Sequence, residues 1–163
     1  MSIVIRAYRE SDAHEAAAIW NEVVEAGQAF PQEELLTDAS GDAFFKSQSR
    51  TAVAVDTDTD CLVGLYILHP NNVGRCGHIC NASYAVLASE RGRHIGEALV
   101  LASRAEARKL GFRILQFNAV VRTNLPALRL YEKLGFVQLG VIPGGFRAKD
   151  GHYEDIIPHY CTL

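Results

Sequence analysis

Arg91-Gly92-Arg93-His94-Ile95-Gly96 stands between an apolar run, Ser83-Tyr84-Ala85-Val86-Leu87-Ala88, and an amphipathic pattern from Glu97 to Leu110. The spacing reads as a strand over His78–Ala88 that turns through glycines into a helix. Such a turn leaves the first helical N–H groups without acceptors, and the helix dipole adds positive potential there. The expected ligand is a phosphate or pyrophosphate. Arg91 and Arg93 add positive charge beside it.

Outward from this turn, the pattern alternates strands and helices. Ile3–Tyr8 reads as an opening strand, and Ser11 as the cap of a helix whose face carries Ala13, Ala16, Ala17, Trp20 and Val24, ending at Gly27. A loop with Pro31 leads to a second helix over Asp38–Gln48. Thr51–Val55 and Leu62–Leu68 form a hairpin around Asp56-Thr57-Asp58-Thr59-Asp60, a solvated acidic turn. After the central helix come a strand, Arg113–Val121, and a helix, Leu125–Leu134, with Asn124 as cap and Pro126 in its first turn. Phe136–Ile142 and Tyr153–Tyr160 read as the last strands. The strand–helix–strand unit predicts a parallel pair with a right-handed crossover, and the hairpins predict antiparallel neighbours. The expected fold is one α/β domain over residues 1–163, with a mixed, mostly antiparallel sheet and about four flanking helices.

Composition excludes several classes. With 48% hydrophobic and 21% charged residues and a net charge of −3, the chain is an ordinary globular sequence without the basic excess of a nucleic-acid binder. No run approaches the roughly 20 apolar residues that cross a bilayer, and Met1–Arg9 lacks an apolar leader. Cys61, Cys76, Cys80 and Cys161 form no zinc-ligand pattern, with or without His78. No metal is expected, and a reducing cytoplasm is the expected location.

Two blocks resemble the GCN5-related N-acetyltransferase superfamily. Arg91–Gly96 is similar to its Arg/Gln-x-x-Gly-x-Gly/Ala turn, with His94 where the family usually has glycine. Asn124-Leu125-Pro126-Ala127-Leu128-Arg129-Leu130-Tyr131-Glu132-Lys133-Leu134-Gly135-Phe136 is similar to its Asn-x-x-Ala/Ser-x-x-Leu-Tyr-Glu-Lys-x-Gly-Phe signature. Gly151-His152-Tyr153-Glu154-Asp155 looks like a segment of the branch that includes phosphinothricin acetyltransferases. At a negative φ His94 is tolerated; at a positive φ it is strained.

The resemblance implies acetyl-CoA as donor and a primary amine, here of a small molecule, as acceptor attacking the thioester directly. It implies that the turn from Arg91 through Gly92, Arg93, His94, Ile95 and Gly96 holds the pyrophosphate. The strand from Tyr84 to Leu87 pairs with the pantetheine arm, and the amide of Val86 or Leu87 faces the developing oxyanion. Asn124 both caps its helix and contacts the cofactor arm, and Tyr131 supplies a phenol to the leaving thiolate.

Phosphinothricin-type relatives often carry a base where this chain has Asn81. His78, Glu33, Glu34, Glu154, Asp155 and a water chain anchored by Asn81, Ser83 or Tyr84 all stand as alternatives. The acceptor pocket is expected from Ala29-Phe30-Pro31 and a turn, Pro143–Arg147, with Arg147 either holding a substrate carboxylate or lying in solvent. A homodimer is implied for assembly. A protein N-terminal or lysine acetyltransferase and a non-catalytic acyl-CoA sensor are the competing readings.

Overall fold

A computed structural model describes residues 2–163. β1 (Ile3–Ala7), β2 (Arg50–Asp56), β3 (Cys61–Pro70) and β4 (Ile79–Val86) form an antiparallel run. β5 (Ile114–Val121) then joins β4 in parallel, and β8 (Tyr153–Thr162) pairs antiparallel with β5. The far edge of β8 carries β6 (Val137–Gln138) and β7 (Ile142–Arg147) in succession. The mixed, mostly antiparallel sheet is the one predicted.

Period-two burial splits the core between the two faces of this sheet. α1 (Ala13–Ala26) and α2 (Asp38–Ser47) cover one face, where Trp20, Phe30 and Phe45 pack on Val53, Leu65, Ile67 and Ala85. α3 (Ile95–Lys109) and α4 (Leu125–Lys133) cover the other, where Leu99, Val100, Leu130 and Tyr131 meet Tyr66, Ala82, Leu115 and Phe117. Trp20 is only 1% exposed, and truncation to alanine there costs about 3–5 kcal/mol. No helix among the described residues is long and apolar enough to cross a membrane.

Three local expectations are corrected. Ser11 caps nothing: a 3-10 turn over Glu10–Asp12 precedes α1, and Asp12 stands at the cap position. Arg6 donates to both Asp12 carboxylate oxygens at 2.8 and 2.9 Å, and the Arg9 amide adds a third bond at 2.8 Å. Burial pushes the Asp12 carboxyl up, but these bonds outweigh it and hold the group below its ordinary value. The strand expected to reach Ala88 ends at Val86, and a further 3-10 turn, Ala88–Glu90, follows it.

The third correction is at Pro143–Arg147, a strand rather than a turn. Gly145 lets β7 approach β8 so closely that a Cβ there would lie 2.5 Å from Ile156 Cγ1. Gly144, at φ 64, is absorbed in the irregular pairing between Ile142 and Phe146. The chain reverses instead at Ala148–His152, where the Ala148 amide donates to the His152 carbonyl at 2.7 Å.

Candidate active site

β4 and β5 pair only at Ile79–Ile114 and Cys80–Leu115 and then separate. Just past the last pair, Asn81 Nδ2 donates to the Gln116 carbonyl at 2.9 Å, spanning the mouth of the gap with a side chain. Asn81, a candidate anchor of a water chain on the substrate side, thus spans the two strands at the opening.

The amides of β4 alternate in direction, as in any antiparallel ladder. The Leu87 amide donates to the Val63 carbonyl at 3.1 Å, so it faces β3. By the same alternation the amides of Tyr84 and Val86 face the gap, where β5 has moved away. Of the two oxyanion donors expected, Val86 is therefore available and Leu87 is occupied. The Tyr84 side chain lies elsewhere: its hydroxyl and Ser103 Oγ on α3 are 2.7 Å apart, inside the core. Tyr84 offers a ligand its backbone rather than its phenol.

At the turn into α3, helical bonding begins with the Ala98 amide to the His94 carbonyl at 3.1 Å. The amides of Ile95, Gly96 and Glu97 have no acceptor within the helix. His94 adopts φ 58, so the strained alternative holds. Its imidazole is exposed, with Nδ1 3.7 Å from Glu97. Arg91 is exposed and makes no ion pair among the described residues. Arg93 turns away from the cavity to Glu90 and, at 2.9 Å, to Asp56 at the end of β2. Arg93 straps the turn to the first hairpin, and Arg91 remains exposed at the cavity.

A cavity of about 1450 Å³ runs from this turn through the gap to the other face of the sheet. Arg91, Gly92, His94, Ile95, Gly96, Asn124, Leu130 and Tyr131 line it on the α3–α4 side. Asn124 Oδ1 accepts from the Ala127 amide at 3.4 Å, capping α4. The Tyr131 ring packs against Phe117 and Phe136, with centroids 4.5 and 5.4 Å away, and burial pushes its phenol well above the ordinary value. No hydrogen-bond partner for the hydroxyl occurs among the described residues, so its proton is free for a ligand.

On the α1–α2 side the cavity is lined by Phe30, Phe44, His69, Asn81, Phe146 and Glu154. Arg147 is not among the lining residues: it is exposed on β7 and paired with Glu33. Of the proposed bases, Glu154 lines the cavity. His78 does not, and Asp155 is bound by Arg122 at 3.1 Å and the Gly144 amide at 3.0 Å. Sequence reasoning missed Glu22, whose Oε1 accepts the Ala88 amide at 2.6 Å. It also missed His152, whose Nε2 lies 2.7 Å from Glu154 Oε1 and whose Nδ1 meets Asp150. The signal for His152 was its place two residues from each of two carboxylates, Asp150 and Glu154, at the turn into β8.

Residues 15–136 match the model of the acetyltransferase (GNAT) family. The chain belongs to that family. It is 32% identical over 157 residues to N-acetyltransferase aca1 of Schizosaccharomyces pombe, covering 86% of this chain and 75% of the relative. A GCN5-related N-acetyltransferase from Kribbella flavida superposes with a TM-score of 0.90 at 33% identity, over 99% of this chain and 98% of that one. A phosphinothricin acetyltransferase from Sinorhizobium meliloti, solved in complex with acetyl-CoA, has the same fold, with a TM-score of 0.91 at 21% identity, over 100% and 89% of the two chains. This GNAT chain is an acyltransferase, and its residues fit acetyl-CoA as donor. Bare amides and Arg91 suit the diphosphate, the open edge of β4 suits an amide-bearing arm, and a cavity of about 1450 Å³ suits a large cofactor.

Proposed function

We propose that this chain transfers an acetyl group from acetyl-CoA to the primary amine of a small molecule, by direct attack. The observation that carries the reading is the gap between β4 and β5. It lets one cavity open on both faces of the sheet, so donor and acceptor approach from opposite sides and meet at the unpaired Val86 amide. Bound acetyl-CoA would supply the activated acyl carbon.

The chain's own residues have four tasks. The amides of Ile95, Gly96 and Glu97, with Arg91, hold the diphosphate, while Asn124 fixes the start of α4 beside the cofactor arm. The Tyr84 amide orients the pantetheine arm. The Val86 N–H, fixed in advance, faces the oxygen on which charge develops. Tyr131 offers its phenolic proton to the departing sulfur from the α3–α4 side.

The residues of the acceptor side favour a small acceptor. The loop over residues 27–32 and Phe146 line it, so side chains from two separate segments converge on the acceptor. Thiol release from acetyl-CoA, screened over small amines and over peptides with free N-termini or lysines, tests this. Release with small amines and formation of the acetylated product are expected. Release with peptides alone would move the acceptor to proteins, and tight cofactor binding without release for any amine would make the chain a sensor.

A further inference from the structure

The acceptor side of the cavity has a marked charge bias. Glu22 and Glu154 line it, and no arginine or lysine does among the described residues; the cavity's one arginine, Arg91, stands at the donor mouth. Two cations at and just after the end of β7 are engaged elsewhere, Arg147 by Glu33 and Lys149 by the Glu25 carbonyl at 2.9 Å.

His152 does not reverse this bias. Both of its ring nitrogens face carboxylates, Nδ1 toward Asp150 and Nε2 toward Glu154 at 2.7 Å, an arrangement that needs the imidazolium. The bonds to Glu154 and Asp150 accordingly raise its pKa. The three groups together carry one net negative charge. His152 also holds Glu154 by Oε1, which leaves Oε2 to accept from a ligand. The aromatic rings of Phe30, Phe44 and Phe146 stand in the same wall, beside His69, Asn81 and other neutral amide side chains. Ring faces favour an organic cation and offer nothing to an anion.

We infer that the acceptor is a diamine-type organic cation without a carboxylate, and that Glu154, positioned by His152, binds the charged nitrogen that does not react while the other, neutral, amine attacks. The inference rests on the acetyl-transfer reading and names the acceptor class. A zwitterionic amino acid would place its carboxylate beside Glu154 and Glu22 with no counter-charge, which desolvation makes costly. Arg147, the residue expected to pair with such a carboxylate, lies outside the lining.

The test compares KM and kcat at saturating acetyl-CoA for primary alkylamines, diamines and α-amino acids, in wild type and in Glu154→Gln. A charge-assisted hydrogen bond corresponds to about ten- to hundredfold in affinity. Glu154→Gln is expected to raise KM for the diamines about tenfold, while primary alkylamines, which lack the second charge, change little. In wild type, KM for the diamines should rise with salt as the attraction is screened, a readout independent of the variant's folding. Amino acids used as well as diamines, or a KM for diamines indifferent to salt, would overturn the inference and leave acetyl transfer standing. Absence of turnover with every amine would overturn the transfer reading itself.

Discussion

The hydroxyl of Tyr84 and Oγ of Ser103 lie 2.7 Å apart, joining β4 to α3 within the core. Ser103 in turn donates to the Val100 carbonyl at 2.8 Å. This contact separates the two parts of Tyr84: the phenol belongs to packing and the backbone faces the ligand gap. Tyr84→Phe should therefore lower stability by about 1 kcal/mol and leave the affinity for acetyl-CoA unchanged. Chemical denaturation and calorimetry on the same protein check both parts.

Tyr131 is the opposite case, a phenol with a free proton on the donor wall. Tyr131→Phe should reduce kcat about 100-fold while KM for acetyl-CoA stays close to wild type. Because burial raises its pKa, the phenol stays protonated well above its ordinary value near 10. The wild-type kcat should show no descending limb from this group up to pH 10. A steady-state pH profile of kcat reads this directly.

Two arginines in one motif should behave differently. Arg91→Ala should weaken acetyl-CoA binding by about 1 kcal/mol, roughly fivefold, with the difference shrinking as salt is added. Arg93→Ala should chiefly reduce thermal stability, since it frees Asp56 and Glu90 rather than an anion site. Titration calorimetry at two ionic strengths and a melting curve for each variant distinguish them.

Much of this was legible in the sequence because it depends on local periodicity and turn chemistry. The turn at Arg91–Gly96 and the cap at Asn124 need only their neighbours to be recognised. What was not legible depends on competition between distant partners. Arg93 is drawn away by Asp56, 37 residues earlier, and Arg147 by Glu33, 114 residues earlier. Leu87 loses its amide to Val63 on the adjoining strand, and Tyr84 its phenol to Ser103 on the next helix. Pro143-Gly144-Gly145 has the composition of a turn, yet Gly145 serves close approach to Ile156 and Gly144 an irregular pairing within the strand.

His159 gives a stability prediction. It is 1% exposed, its Nδ1 donates to the Ile157 carbonyl at 2.6 Å, and its Nε2 is buried without a partner among the described residues. Burial lowers its pKa in the folded state. The unfolded chain then takes up a proton near pH 6.5 that the folded chain refuses until lower pH. This contribution is complete above about pH 6.5 and is lost as pH falls from there toward the folded value. Urea unfolding at pH 7.5 and 5 should show a smaller acid loss in His159→Leu than in wild type.

The meeting of donor and acceptor at the β4–β5 gap, with both bound at once, is tested most directly by initial velocities measured while acetyl-CoA and a small amine acceptor are varied together. Double-reciprocal lines that intersect are expected, because the amine attacks only when both are present. Parallel lines, the pattern of an acetylated enzyme released from coenzyme A before the amine binds, would contradict it.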